Sequence, residues 1–273
     1  MRNETLKILV TVKAYPAIGK KHGEAVCVAG IDMEQPRWIR LFPVPFRDMP
    51  FDRRFRKFDV IEVDARKASD PRPESYQPNV DSTTVLDNIP PRRADDRRRL
   101  IDPLMQPSMC AIRRQQVATG TSLGVFRLAA PPELVITEDR SAWDPDKQLI
   151  VDQPSMLMPG KKGLEKVPYR FSYRYGCAGE PSCRGHEQSI VDWEIAEAFR
   201  SWRDAYGEAG ALDRIRTKWT DQVWAPDRYT ALFTGNQFKN PDGFLILGVF
   251  WPPRPPTGGG SPDPAQGELL PPR

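Results

Sequence analysis

Cysteine and histidine are scarce in this 273-residue chain, which contains four Cys and two His residues. The chain also lacks an apolar run of the ~18 residues that a membrane-spanning helix needs, and its first residues do not resemble a secretory signal. These absences predict a cytoplasmic protein that does not contact membranes. Cysteines stay reduced in the cytoplasm, so a close group of them indicates metal binding or catalysis rather than a disulfide.

Several catalytic motifs are absent as well. The sequence contains no Walker loop and no Gly-x-Gly-x-x-Gly motif. With His22 and His186 as its only histidines, it offers no Ser/His/Asp arrangement for nucleophilic catalysis. The segment GHEQS around His186 lacks the His-x-Glu that zinc deaminases require. The sequence therefore favours a binding protein over an enzyme.

Strand patterns dominate the first part of the chain. Proline is frequent, with 29 residues, and it interrupts both helix interiors and sheet ladders. Four segments, at residues 6–15, 23–32, 37–44 and 58–67, are apolar on alternate positions, which predicts short strands in a small barrel or sandwich. Residues 70–91, rich in Pro, Asp and Ser, are predicted to form a long loop.

The second part of the chain mixes strand and helix patterns. Residues 121–138 and 169–175 have strand periodicity, and the runs at 229–235 and 244–250 predict a hairpin. Apolar residues at helical spacing predict two helices, over 191–206 and 212–223, the first capped by Ser189. Residues 252–273 are rich in Pro and Gly and predict a disordered tail.

The distribution of charge suggests a partner. Basic and acidic residues are nearly balanced, 40 against 36, but arginines and phenylalanines interleave in the first barrel segment. Further arginines cluster at 92–99 and on the strand at 169–175. Basic and aromatic side chains on a small barrel are typical of proteins that bind single-stranded nucleic acid. The predicted nucleic-acid contacts are Arg40, Arg47, Arg53, Arg54, Arg56, Arg97, Arg98, Arg99, Arg170 and Arg174.

Aromatic residues line one face of the strand at 169–175, where they occupy every second position: Tyr169, Phe171, Tyr173 and Tyr175. Such side chains can stack on nucleic-acid bases. A row of this kind more often fills a core, and we favour the core interpretation.

A metal site is predicted in the loop that follows this strand. Cys177, Cys183 and His186 form a C-x5-C-x2-H pattern, and thiolates and imidazole are the preferred ligands of structural zinc. The candidates for a fourth ligand are Cys110, Asp192, Glu187 and a water molecule. A coincidental cluster in an exposed loop is the simplest alternative. Because carboxylates such as Glu194 are close in sequence, a metal-dependent nuclease or hydrolase is another.

Two strand motifs resemble a known family. The segments GEAVCVAGID and RWIRLFPV present a Cys-x-Ala-Gly strand followed by a Trp-Ile-Arg strand, and TSLGVFRL presents a Ser-Leu segment between two halves. This pattern is similar to that of the dual OB-fold domain family of prokaryotic proteins. The resemblance implies two β-barrels and nucleic-acid binding in bacterial conflict or defence systems.

Together these observations predict a mostly β (α+β) protein. We expect a first OB-like barrel at 1–90, a basic helical linker at 91–120, a second OB-like barrel with the Cys/His loop and two helices at 121–251, and a disordered tail at 252–273. The predicted function is that of a nucleic-acid-binding accessory protein in a prokaryotic defence system. Its expected partners are single-stranded nucleic acid or a guide/target duplex and other defence subunits. A protein–protein adaptor is a further alternative, because a fold does not determine function.

Overall fold

Strands outnumber helices in residues 3–153 and 162–255, the part of the chain that this computed structural model describes. The strands are β1 (Glu4–Lys13), β2 (Ala17–Gly19), β3 (Gly23–Asp32), β4 (Trp38–Val44), β5 (Asp59–Lys67), β6 (Ser75–Pro78), β7 (Thr84–Asn88), β8 (Met105–Gln106), β9 (Leu123–Phe126), β10 (Glu133–Glu138), β11 (Tyr169–Tyr175), β12 (His186–Ser189), β13 (Ala231–Gln237) and β14 (Asn240–Phe250). The α-helices are α1 (Ala94–Ile101), α2 (Met109–Thr119), α3 (Pro145–Val151) and α4 (Trp193–Arg216). The predicted tail lies outside the described residues from position 256 onwards.

Five strands close a barrel in the N-terminal part. β1 pairs with β3 and β5, and β3 continues to β4. β4 runs parallel to β6, and β6 pairs with β5, which completes the ring. The strands predicted at 6–15, 23–32, 37–44 and 58–67 are confirmed as β1, β3, β4 and β5. Inward side chains such as Leu6, Ile8, Ile39 and Tyr76 fill the barrel.

The prediction of a loop over 70–91 is wrong, because β6 and β7 lie in this segment. Tyr76 is the one large apolar side chain of β6, and it is buried in the barrel core. All five residues of β7 are exposed. Strands that bury so little do not show the apolar alternation by which a sequence reveals them.

The second barrel predicted for 121–251 is not found in the described part of the chain. β10, β11 and β12 form one open sheet, and β14, β13, β9 and β8 form another. The helical segments fill the space beside these sheets, where Phe199, Ile215 and Trp219 share one core with Phe171 and Ile246. Within the described residues, the protein is therefore a mixed α+β protein with one barrel.

The two predicted helices lie on either side of a kink at Gly207, within α4 and the segment that follows it. α4 begins after its N-cap Asp192, whose Oδ1 accepts from the backbone N–H of Glu194 at 3.1 Å, whereas Ser189 ends β12. Gly207, with a left-handed φ of 72°, interrupts α4 between the two apolar repeats. The helix continues as a π-helical segment, Thr217–Gln222. No helix in the described residues is long and apolar enough to cross a membrane.

The outer face of the barrel packs against the second part of the chain. Leu9 and Ile31 of the barrel share a buried cluster with Val125, Phe233 and Phe250. These contacts involve the outer surfaces of β1 and β3 and one face of the β9–β13–β14 sheet. The contact therefore covers a barrel face that would otherwise be open to a ligand.

Candidate metal centre

Four potential metal ligands converge where α2 meets the β11–β12 loop and the start of β12. The ligand atoms of Cys110, Cys177, Cys183 and His186 all lie within 4.8 Å of one another. Nε2 of His186 is 3.4 Å from Sγ of Cys110, 3.3 Å from Sγ of Cys177 and 3.4 Å from Sγ of Cys183. The three residues predicted from the sequence are thus brought together, and Cys110 joins them as the fourth.

This geometry fits a tetrahedral ion. Zn–S bonds of about 2.3 Å and Zn–N bonds of about 2.0–2.1 Å place the S and N ligands of a tetrahedron about 3.5 Å apart. The three sulfur–nitrogen distances are close to that value. A set of three Cys and one His could hold zinc with all four positions supplied by protein, which is the arrangement of structural sites.

Cys110 is positioned by the start of α2. Ser108 caps this helix, and its Oγ accepts from the backbone N–H of Ala111 at 3.0 Å. Cys110 is therefore in the first turn, where the positive end of the helix dipole stabilises a thiolate. The other sulfur ligands lie on the loop between β11 and β12, in which Gly179 and Gly185 have φ angles of 72° and 88°. Only glycine adopts these angles without strain, so the loop can fold back on itself.

A polar contact holds the loop against α2. The carboxylate of Glu180 accepts from Ser108 Oγ at 2.7 Å and from both terminal nitrogens of Arg114 at 2.7 and 2.9 Å. The Arg114 guanidinium, followed by the Ser108 hydroxyl, holds the pKa of Glu180 at about 2. The contact joins the helix that carries Cys110 to the loop that carries the other sulfur ligands.

The electrostatics of the cluster suit a cation. Burial lowers the pKa of His186, with a smaller effect from Arg113, so its imidazole is neutral and able to coordinate a metal. The backbone N–H of Cys177 donates to Sγ of Cys183 at 3.4 Å and lowers the pKa of Cys183. Burial and the two neighbouring sulfurs raise the pKa of Cys110 to about 12. Three thiolates this close repel one another unless a cation lies between them.

The carboxylates that the sequence placed near the metal are engaged elsewhere. Glu187 forms an ion pair with Arg174 at 3.0 Å. Asp192 and Glu194 lie beside the ammonium of Lys57, at 3.8 and 3.6 Å. None of them belongs to the cluster of ligand atoms that the described residues form.

Two of the predicted nucleic-acid arginines are buried. The guanidinium of Arg40 donates to the carbonyl oxygen and to Oγ of Ser122, at 3.1 and 2.9 Å, and to Sγ of Cys27 at 3.2 Å. Arg98 forms an ion pair with Asp95. The two residues are 4% and 9% exposed, so neither can reach a phosphate in this arrangement.

Three further predicted arginines support the local structure. Arg47 forms an ion pair with Glu24 at 2.8 Å. Arg54 donates to two backbone carbonyls of its own loop, each at 3.0 Å. Arg97 donates to the carbonyl of Ile89 at 2.7 Å, and burial lowers the pKa of Arg97 to about 10.

The remaining predicted arginines lie at or near the surface. Arg53, Arg99 and Arg174 each form ion pairs with carboxylates. The side chains of Arg56 and Arg170 form no hydrogen bond or ion pair with any residue in 3–153 or 162–255 and are exposed. Contact of these five with nucleic acid stays a prediction. In the aromatic row of β11, Phe171, Tyr173 and Tyr175 are buried, as the core interpretation expects.

Family comparisons divide the chain into the same two parts. A model of a domain of unknown function, DUF8758, matches residues 4–103, which contain the barrel. A model of a second domain of unknown function, DUF8757, matches residues 105–268, more than half of the 273 residues. The chain belongs to the DUF8757 family. All four residues of the candidate metal centre lie within the DUF8757 match. No curated protein matches the chain.

Proposed function

We propose that the Cys3His cluster binds a structural zinc ion. The main support is that the ligand atoms of three Cys and one His converge, so they would fill all four coordination positions of a tetrahedral ion and leave none for a reacting water. The ion would join the first turn of α2 to the β11–β12 loop and the start of β12. Metal analysis of protein purified without chelators should find about one zinc ion per chain.

We further propose that the protein is a nucleic-acid-binding accessory subunit of a prokaryotic defence system. The strand order of the barrel, β1-β3-β4-β6-β5 with β4 and β6 parallel and β5 returning to β1, supports an OB-type barrel. This order agrees with the resemblance to dual OB-fold proteins. The assignment to a defence system, and to partner subunits there, rests on that resemblance.

The usual ligand face of an OB barrel is largely covered in this protein. OB folds bind oligonucleotides on their second and third strands, which correspond here to β3 and β4. Ala29 and Ile31 of β3 are buried against the second part, and Arg40 of β4 contacts Ser122 there. Nucleic acid must therefore bind another surface of the barrel.

The loop between β4 and β5, residues 45–58, offers such a surface. Phe51 is 83% exposed, the largest exposure among the large hydrophobic side chains of the described chain. Arg56 is exposed in the same loop, and Arg53 forms an ion pair with Asp81, which is itself highly exposed, so this interaction is weak. An exposed ring in a loop that also carries cations can stack on a base while the guanidinium groups contact phosphates. This basic–aromatic loop is the observation that carries the proposal.

Combined substitution of Phe51→Ala, Arg53→Glu and Arg56→Glu should weaken binding to single-stranded oligonucleotides at least about tenfold. Loss of one base stack alone costs about 1–3 kcal/mol. Each lost phosphate contact should also reduce the slope of log affinity against log salt by about 0.7. Anisotropy titrations between low and moderate salt measure both quantities. Arg54 is left unchanged because it holds the loop together.

α4 provides a matched control. Tyr206 is 54% exposed, and the guanidinium of Arg214 lies over its ring at 3.7 Å, with Arg216 exposed nearby. Tyr206→Ala with Arg214→Glu and Arg216→Glu removes one aromatic ring and reverses two charges, as the loop variant does. Equal losses in both variants would mean that the loop is not the binding surface. No binding by the wild type at low salt would favour the adaptor function instead.

A further inference from the structure

A cavity of about 380 Å³ opens beside the candidate metal centre. Its walls come from the end of β9 and the residues that follow, from the segment before α2, from the β11–β12 loop, and from the C-terminal end of the described chain. The lining residues are Pro107, Ser108, Phe126, Arg127, Leu128, Ala129, Gly176, Cys177, Ala178 and Arg254. Its volume is near the lower end of the range for small-molecule sites, about 300–1,000 Å³. It can accommodate one nucleotide but not a folded polymer.

Apart from the Cys177 thiolate, which belongs to the candidate metal centre, the charged groups that line this cavity are positive. Two of the lining residues are arginines and none is acidic. Within the described part of the chain, neither Arg127 nor Arg254 forms an ion pair. Nε of Arg254 donates to the carbonyl of Arg228 at 2.9 Å, and the guanidinium of Arg127 lies over the ring of Tyr229 at 4.2 Å. These contacts orient the two groups and leave N–H donors available to a ligand.

Two neighbouring features reinforce the positive potential. Ser108 lines the cavity and caps α2, so the positive end of this helix borders the cavity. The carboxylate in contact with Ser108 is that of Glu180, and Arg114 pairs with it through two hydrogen bonds. The negative charge next to the cavity is therefore already neutralised by a third arginine.

We propose that this cavity binds the terminal phosphate of a nucleic-acid strand together with its end nucleotide. The proposal rests on the nucleic-acid function proposed above. A phosphomonoester carries about −1.5 to −2 charges at neutral pH, whereas an internal phosphodiester carries one. Two guanidinium groups match the terminal phosphate better than an internal phosphodiester, because each can form charge-assisted hydrogen bonds to the oxygens of the terminal phosphate. The apolar side chains of Pro107 and Leu128 provide a surface for the attached nucleoside.

The test compares oligonucleotides that differ in one terminal group. Single strands with a 5′-phosphate, a 3′-phosphate or hydroxyls at both ends are titrated by anisotropy, with the label at the opposite end. The wild type should bind one of the phosphorylated strands about tenfold more tightly than the hydroxyl strand, since the charge-assisted hydrogen bonds to the terminal phosphate outweigh the cost of ordering the end of the strand. Arg127→Gln with Arg254→Gln should abolish this preference. Nucleoside monophosphate should compete with the phosphorylated strand.

Arg113→Gln with Arg184→Gln is the matched control. Both arginines are exposed beside metal ligands, and neither lines the cavity. This variant removes the same charge and should keep the terminal-phosphate preference. Melting temperature and zinc content, measured for each variant, show that the fold is retained.

The outcomes separate the two proposals. Equal binding of phosphorylated and hydroxyl strands by the wild type would overturn the cavity inference and leave the nucleic-acid function standing. Nucleoside monophosphate binding that is lost in Arg127→Gln/Arg254→Gln, without any oligonucleotide binding, would support the phosphate site and overturn the polymer function. Loss of the preference in the control variant as well would also overturn the inference.

Discussion

Replacing Cys110 with serine should lower the melting temperature by about 10 °C and weaken zinc binding at least about 100-fold. Structural zinc contributes folding free energy directly, about 10–16 kcal/mol for small zinc domains at neutral pH. Loss of one of four ligands should remove about 3–5 kcal/mol of this folding free energy. A loss of that size lowers the melting temperature of a domain of 150–250 residues by about 10 °C. Thermal unfolding and competition with a chelator measure the two effects.

Cys27, the cysteine outside the cluster, provides the control for this substitution. Cys27 lies on β3 and accepts a hydrogen bond from Arg40 at 3.2 Å, away from the cluster. A serine at this position can accept the same hydrogen bond, so Cys27→Ser should retain one zinc ion and most of the stability. If Cys110→Ser retained zinc as firmly as Cys27→Ser does, Cys110 would not be a ligand. A wild-type protein that binds no zinc at all would remove the metal centre altogether.

The sequence predicted the barrel strands that bury many apolar side chains and missed those that bury few. β1, β3, β4 and β5 carry apolar side chains that fill the barrel, and β1 and β3 bury others on their outer surfaces. β6 closes the ring with Tyr76 as its main buried side chain, and its pairing is visible only in three dimensions. The open sheets of the second part show the same limit, because strand periodicity does not reveal whether a sheet closes.

Three of the four residues of the metal centre could be predicted, because they are close together in sequence. Cys177, Cys183 and His186 lie within ten residues of one another, so their spacing alone indicates a site. Cys110 is far away in sequence, and only the packing of α2 against the β11–β12 loop selects it over Asp192 and Glu187 as the fourth ligand. The arginines were harder to assign, since the same residue type forms internal contacts at Arg40 and Arg98 and surface contacts elsewhere.

The contact between the barrel and α4 contains a buried charge that the sequence did not single out. The ammonium of Lys57 donates to the carbonyl of Val249 at 2.9 Å and lies near Asp192 and Glu194. A Cβ atom at Gly248 would lie 3.4 Å from both Lys57 Nζ and Asp192 Oδ2, so the pair packs directly against this glycine. Burial lowers the pKa of Lys57, but the carboxylates of Glu194 and Asp192 raise it by more, so the pKa of Lys57 is above its usual value.

The pH dependence of this pair follows from Asp192. Burial raises the pKa of Asp192 from its usual 3.8 to about 6, against the opposing effect of Lys57. A group whose pKa is higher in the folded state contributes stability that is complete below its unfolded pKa and is lost as pH rises through the folded value. Ionisation of Asp192 between about pH 4 and pH 6 therefore costs stability, and Lys57 limits that cost.

Lys57→Met should consequently reduce the free energy of unfolding by about 3 kcal/mol at pH 8, because it leaves the Asp192 carboxylate buried and charged with no cation at this distance. At pH 5.5 the reduction should be clearly smaller, because protonation of Asp192 removes the charge that Lys57 compensates. Urea unfolding of both proteins at the two pH values measures the difference, and any zinc loss at the lower pH affects them alike. Lys20→Met is the control, since Lys20 and its partner Asp146 are 82% and 66% exposed and should change stability little at either pH. An equal loss at both pH values in Lys57→Met would show that Lys57 acts through its hydrogen bond to Val249 or its ion pair with Glu194, and not through the charge of Asp192.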